Sequence, residues 1–437
     1  MLRELAIAFR ARVTWIAAAL AALLVGHGFI LAVDLFSASS RSALASALQL
    51  REMDPLAGVV RPTLGGAGLA TVLLGPLVAA RVLAVEKERR TYGSLCLAAG
   101  GSSRVIATKS VAAALACALL LVTPLALLAL YRLVGGHVDF VETGVAISGE
   151  ALRILVVVGT SMAGAAWTRT LAQAVTVGIA VSLSSWAIDA ADGFAALAWL
   201  GGASAWSIDR QLTLFGQGLL PVGSSLWLVL AAGTGFGLAC VGGSFARRTM
   251  HKWLAGLGIL VAGALLMTAA GGIRRAYDET EERRSSLPLG IVEGLRAIPG
   301  TIELDVYLDR DDSRRRQAES DTFQKLMLAR SDVAVRMPLD ERSRPGEVER
   351  EDGYGRIFVR ANGGSRETRS TSRRELTTLI FEAAGRSVPE WTQPSYPGFP
   401  AVVEGARRSW LVAFAYAGIP LAFLAIGLRL SDRRNLR

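Results

Sequence analysis

Glu86-Lys87-Glu88-Arg89-Arg90-Thr91-Tyr92-Gly93-Ser94-Leu95 sets a run of carboxylates and cations between two long apolar stretches, Leu64–Ala84 and Ser110–Leu130. The chemistry these side chains offer is ionic and hydrogen-bonded contact with a partner. A segment this polar is excluded from hydrocarbon, where each central Asp, Lys or Arg costs roughly 2.5–3.5 kcal/mol. It therefore reads as a loop between two membrane-spanning helices, and its basic bias assigns it to the cytoplasmic side. Leu95, Leu97 and Val105, spaced among small residues, predict an amphipathic helix lying along the membrane surface. A surface helix held between two spans is suited to receive a push from a cytosolic partner.

Few other residues are arranged for chemistry. His27, His137 and His251 lie far apart, and Cys96, Cys117 and Cys240 show neither metal-ligand spacing nor a disulfide framework. Asp309-Arg310-Asp311-Asp312 has the composition of a metal or sugar-nucleotide site. It falls where a strand ends and a helix begins, however, and there Asp caps free N–H groups. Thr371–Glu375 has the same capping character. No Ser/His/Asp set, Cys/His pair or phosphate-cradling Gly-Lys-Ser/Thr is present, and residues 273–408 contain no His, the commonest general base. The chain is read as non-enzymatic, with no metal or cofactor site of its own.

The elements that carry the charged loop follow from composition. Of 437 residues 52% are hydrophobic and 19% charged, the profile of a polytopic membrane protein. The net charge of +10 is not spread evenly: residues 273–408 hold 24 Lys+Arg against 24 Asp+Glu, so the excess lies in the apolar remainder. It clusters at Arg3, Arg10 and Arg12, from Lys87 to Lys109, at Arg247, Arg248 and Lys252, and from Arg429 to Arg437. These clusters flank apolar runs on one consistent side, so basicity encodes orientation rather than nucleic-acid binding.

Eight runs can cross roughly 30 Å of hydrocarbon: Val13–Val33, Leu64–Ala84, Thr108–Leu133, Ser148–Trp167, Gln173–Ile188, Leu226–Phe245, Trp253–Gly271 and Trp410–Leu428. The first is read as an uncleaved helix, its apolar core being too long for a usual signal-peptide core. An amphipathic helix precedes it, with Leu2, Leu5 and Phe9 on one face and Arg3, Glu4 and Arg10 on the other. Asp34–Thr63 is expected as a polar external loop with a short helix at Ala43–Leu50, and Asp189–Gly223 as short helices dipping into the outer leaflet. Glu150 and Arg153 share a helix face and are expected to pair near the outer end of the fourth span. Gly233 and Gly237 have the GxxxG spacing of close helix packing. Eight crossings place both termini in the cytosol.

The polar segment Ile273–Arg408 reads as an extracytoplasmic α/β domain inserted before the last helix. Strands are predicted at Thr301–Leu308, Val333–Met337, Arg356–Ala361 and, after an Asn362-Gly363 turn, Arg366–Thr371. Helices are predicted at Ser313–Arg330 and Arg373–Gly385. Leu339–Gly353 reads as a charged, mobile loop and Pro389–Pro400 as a rigid linker. The fold class is thus a polytopic α-helical membrane protein of about eight transmembrane helices with one small α/β domain. Its parts are 1–246 (six helices), 247–272 (cytosolic connector and seventh helix), 273–408 (the α/β domain) and 409–437 (eighth helix and basic tail).

The stretch from Glu86 to Arg104 resembles the E-x-E-x-G-T-x-x-x-L-L segment of ABC-2 type permeases, with Glu86, Glu88, Thr91 and Leu95 matching and Arg90 standing where the family usually has Gly. In that family the segment is a coupling helix that contacts a cytosolic ATPase, which implies ATPase-coupling roles for Glu86, Glu88, Arg89, Arg90, Thr91 and Leu95. The likeness extends over roughly Met1–Phe245. Ile298–Leu308 and Gly353–Arg360 carry a likeness to the gliding-motility-associated auxiliary protein, so the chain resembles a permease fused to a shortened auxiliary subunit. The resemblance implies the bacterial inner membrane, an exporter, a partner ATPase dimer that binds ATP and Mg²⁺, and a permease homodimer or pseudo-dimer. Few ionisable residues are expected at mid-membrane depth, which leaves no ion relay to power transport. Two other readings stand beside this one. The ATPase could move the external domain against an envelope partner with nothing translocated, or the chain could be a membrane-anchored sensor or enzyme.

Overall fold

The computed structural model describes residues 2–44, 46–191, 203–245, 248–309, 312–341, 353–391 and 396–432. The chain divides into a helical unit (Met1–Ser184, Leu214–Ile273, Pro397–Arg437) and a second unit (Ser185–Thr213, Arg274–Tyr396).

In the helical unit, α1 (Leu2–Arg10) leads into α2 (Arg12–Ala43), and a short α3 (Ala47–Arg51) precedes α4 (Arg61–Glu88). α5 (Tyr92–Ala98) and α6 (Ser102–Ala118) follow, then α7 (Val122–Leu133), α8 (Phe140–Trp167) and α9 (Leu171–Ala191). After the short α10 (Ile208–Leu212), which belongs to the second unit, come α11 (Val222–Gly242) and α12 (Thr249–Gly271). Among the described residues eight helical segments are long and apolar enough to cross a membrane, the last being Gly405–Ser431. Most overrun the predicted spans, while the sixth, Val222–Gly242, is shifted and ends before the expected Phe245. α2 continues through Asp34 to Ala43, and the second span starts at Leu56 rather than Leu64, so Asp34–Thr63 is largely helical instead of an open loop. The reason is pairing: Asp34 accepts two hydrogen bonds from Arg408 at 2.8 Å, which lets a charge ride on a long helix.

Small residues set the helix approaches. A Cβ placed on Gly235 of α11 would lie 2.5 Å from the Gly159 carbonyl carbon of α8, and one on Gly159 would lie 2.8 Å from the Ala232 oxygen. The expected Gly233/Gly237 seam is not the contact. Gly233 has open space around it and Gly237 meets only ordinary side-chain contact, because the face turned to α8 carries Gly235. Glu150 and Arg153 do pair, Nε to Oε2 at 3.0 Å, and both are buried. Since α8 begins at Phe140, capped by Asp139 through the N–H groups of Val141 and Glu142, the pair sits midway along the helix rather than near its outer end. Gly68 of α4 gives the guanidinium its room: a Cβ there would lie 3.1 Å from Arg153 Cζ.

Pro397–Arg408, which composition joins to the polar insert, lies in the helical unit. Val403 and Ala401 N–H donate to the Ser37 and Ser40 hydroxyls, and Phe399 N–H to the Met53 carbonyl.

The second unit holds α13 (Leu289–Ala297), α14 (Ser313–Ala318), α15 (Gln324–Ala329), α16 (Pro338–Glu341) and α17 (Arg373–Ala383). Its four-stranded sheet is built from β1 (Ile302–Val306), β2 (Val333–Arg336), β3 (Ile357–Ala361) and β4 (Gly364–Thr368), in the order β2-β1-β3-β4. β1 pairs parallel with β2 and antiparallel with β3, and Asn362-Gly363, both left-handed, turn β3 into β4. Ile302, Leu304, Val306, Ile357 and Val359 bury one sheet face against Leu326, Leu376 and Ile380. The α/β expectation therefore holds for this unit, with α13 as an added helix. The helix expected over Ser313–Arg330 forms with a π-helical middle at Glu319–Phe323. Asp312 caps it, accepting from Arg314 N–H at 2.9 Å, and Ser372 caps α17 through Glu375 N–H. Arg310, Asp311, most of the loop expected at Leu339–Gly353 and part of the Pro389–Pro400 linker lie outside the described residues.

Candidate functional site: the loop between the second and third spans

α4 closes with a Schellman motif: Arg90 N–H donates to Lys87 O and Thr91 N–H to Glu86 O, each at 3.0 Å. The motif requires one left-handed residue. Arg90 supplies it at φ 58°, at a cost of about 1 kcal/mol for a residue with a Cβ. α5 ends the same way at Gly100, φ 70°, with Gly101 N–H donating to Cys96 O at 2.9 Å.

The side chains of this segment meet different helices. Lys87 Nζ donates to the carbonyls of Ala165, Ala166 and Thr168 at 2.8, 2.7 and 2.5 Å, closing the C-terminus of α8. Glu88 Oε1 accepts from Leu171 N–H at 2.6 Å, the first residue of α9. The signs suit the helix dipoles, a cation at the carbonyl end and an anion at the amide end. Glu86 accepts from the Thr91 hydroxyl, and its other oxygen lies 3.6 Å from Lys109 Nζ. Lys109, on α6, is 1% exposed and also lies 2.7 Å from Glu4 on α1. Two carboxylates thus neutralise a cation that would be costly to bury alone. Tyr92 completes the set: its hydroxyl donates to Gly243 O at 3.0 Å, at the end of α11, and its ring lies 5.4 Å from Phe245. Burial pushes the Tyr92 phenol up, so it remains a donor.

These bonds tie α1, α4, α5, α6, α8, α9 and α11 into one knot, and they sort the predicted coupling residues. Glu86 and Glu88 are engaged inside it. Leu95 is half-buried against the core formed by Leu83, Ile106 and Met162. Thr91 is exposed but bonded to Glu86, while Arg89, Arg90 and Ser94 face outward with Leu97, which is 86% exposed. A cavity of about 560 Å³ opens beside α5, lined by Gly93, Cys96, Leu97, Gly100, Ser244 and Phe245.

Two expectations change here. The amphipathic set Leu95, Leu97 and Val105 does not form one face: Tyr92 and Cys96 take the buried positions of α5, and Val105 is buried in α6, which begins at Ser102 rather than Thr108. Glu4, expected on the polar face of α1, turns inward to Lys109, since a buried cation attracts it more than solvent does.

Sequence reasoning missed Lys87, Tyr92, Lys109 and Glu4 as a set. A signal existed for the first. The tight Thr168-Arg169-Thr170 turn sets a helix C-terminus beside a helix N-terminus, and the adjacent Lys87-Glu88 supplies the matching charges. Among the described residues no group of three or more His, Cys, Asp or Glu is placed to hold a metal ion. No protein-family model, curated protein or solved structure matches this chain.

Proposed function

We propose that this chain is the membrane-spanning permease subunit of an ATP-binding-cassette exporter, worked through α5 by a separate cytosolic ATPase dimer. The observation that carries the reading is the division of the 86–97 segment: its inward side chains bind the ends of other helices, and its outward face, Arg89, Arg90, Ser94 and Leu97, is open. A push on that face reaches α6 through Lys109, α8 through Lys87, α9 through Glu88 and α11 through Tyr92. The left-handed backbone at Arg90 supports the resemblance to ABC-2 permeases, because that is where the family pattern has Gly. The exposed apolar surfaces of α9 and α12, including Val177, Val181, Leu257, Val261 and Leu265, suit lipid or a second permease copy. In this reading the knot and both termini are cytosolic, the unit containing β1–β4 lies outside the bacterial inner membrane, and ATP and Mg²⁺ bind the partner.

A photo-crosslinker at Leu97 in cells should capture an ATPase of the cassette type, while one at the membrane-facing Leu265 should not. Leu97→Asp with Arg89→Ala should preserve folding yet lower ATPase-coupled transport by about tenfold, the loss of roughly 1.4 kcal/mol of docking energy. Full coupling in that variant would overturn the assignment. The second unit, with a core of its own, favours one further reading, in which the same engine moves that unit against an envelope partner. An envelope protein captured through residues 273–408, with ATPase activity indifferent to any cargo, would select it.

A further inference from the structure

The second unit contains a cluster of cations with no carboxylate among the described residues to answer them. Arg369, Arg373 and Arg374 converge on a cavity of about 520 Å³, bounded also by Thr371, Thr322 and Trp391. Among the described residues no carboxylate lines it. Several other arginines of this unit are paired with acids: Arg314 with Asp312 at 2.7 Å, Arg330 with Asp332, Arg360 with Asp305 at 3.0 Å and Arg356 with Glu367 at 3.2 Å. Arg373 goes further, because its Nη1 is shut off from solvent and has no hydrogen-bond partner. A buried guanidinium nitrogen left unsatisfied is costly, so the fold holds this charge at the cavity wall at some expense.

The backbone points the same way. The cavity lies at the start of α17, an 11-residue helix. Ser372 accepts from Glu375 N–H, which leaves the N–H groups of Arg373 and Arg374 ahead of the first intrahelical bond. The nearest acid in sequence, Glu375, is turned to the Thr368 hydroxyl on β4. Thr322 donates to the Thr371 carbonyl at 3.0 Å and so fixes the loop that carries Arg369 to Ser372.

We propose that this cavity binds a phosphate group. Three guanidinium groups and a helix N-terminus match a multiply charged oxyanion better than a single carboxylate, since Arg forks address phosphate oxygens in pairs. Trp391 offers a flat apolar wall for whatever carries the phosphate, and the volume exceeds that of the anion itself. The same chemistry comes from two sources, a soluble phosphate compound or a phospholipid headgroup. The site stands on its own geometry and is independent of the exporter reading.

The test uses the full chain in phosphatidylcholine nanodiscs, with hydrogen exchange followed at residues 369–376. Added inorganic phosphate should slow exchange there several-fold, and Arg374→Gln should weaken the apparent affinity by about tenfold, the loss of one charge-assisted contact. Arg373→Gln should do the same, with unchanged exchange in β1 reporting that the unit is folded. Protection seen only when phosphatidylglycerol replaces part of the lipid assigns the site to a headgroup, and protection by inorganic phosphate assigns it to a soluble compound. Arg366→Gln, a nearby exposed arginine outside the cavity, should change neither. No protection by either probe, or equal loss in Arg366→Gln and Arg374→Gln, would overturn the proposal.

Discussion

Charge is used in opposite ways in the 86–109 knot and in the arginine cavity of the second unit. In the knot the charges are answered: buried Lys109 by Glu4 and Glu86, half-buried Lys87 by three carbonyls, and exposed Glu88 by an amide. In the cavity three arginines gather without an acid among the described lining residues. The first arrangement is closed and can hold helices together. The second is open and can hold something else. The contrast separates ionic groups that stabilise the protein from those that receive a ligand, and substitution should expose it directly.

The largest effect is expected at Lys109. Lys109→Met leaves Glu4 and Glu86 facing each other without a cation, and should destabilise the helical unit by about 3 kcal/mol, read from unfolding in detergent. Lys109→Arg should recover part of it. Lys87→Ala strands the last carbonyls of α8 and should cost about 2 kcal/mol. A smaller or absent loss at both positions would mean that the knot's charges do not hold its helices together.

Within the second unit, Asp312 is the closed counterpart of the open cavity. The hydrogen bond from Arg314 holds its carboxyl below the usual carboxylate range, against the opposing pull of burial, with Tyr354 donating a further bond at 3.1 Å. A lowered carboxyl adds stability that is complete above its unfolded value, near pH 4, and is lost as pH falls through the folded one. Protection of α14 against hydrogen exchange should therefore fall on acidification below about pH 4, and Asp312→Asn should flatten that dependence.

Arg90→Gly should relieve left-handed strain and stabilise α4's closure by about 0.5–1 kcal/mol while removing a side chain from the outward face. Higher thermal stability with weaker partner docking is the expected pairing. The smallest effect belongs to the cavity: Arg374→Gln should shift stability by less than about 0.5 kcal/mol, because the side chain is exposed and no described group bonds to it. A loss comparable to that of Lys87→Ala would mean that the cavity's charges are closed after all.

Much of this was legible beforehand, for identifiable reasons. The eight apolar segments follow from a mean composition that water rejects, and strands β1 to β4 follow from alternation and the Asn362-Gly363 turn. The Glu150–Arg153 pair follows from helical spacing alone. Span limits were not legible, because Asp34 and Glu142 look like loop residues until a partner or a cap is known. Nor was the inward turn of Glu4, since an amphipathic pattern assigns a carboxylate to water unless a buried lysine competes for it.

By itself, then, the sequence determined which segments avoid water, which way the basic clusters bias the chain, and where a polar segment must interrupt the spans. Those properties are sums over neighbouring residues. Only the tertiary structure decided which charges meet, that Gly235 rather than Gly233 or Gly237 touches α8, and that Arg369, Arg373 and Arg374 share a cavity. The first two depend on residues distant in the chain arriving within a few ångströms, and the cavity exists only because Thr322 and Trp391 close around three arginines that the sequence already sets close together.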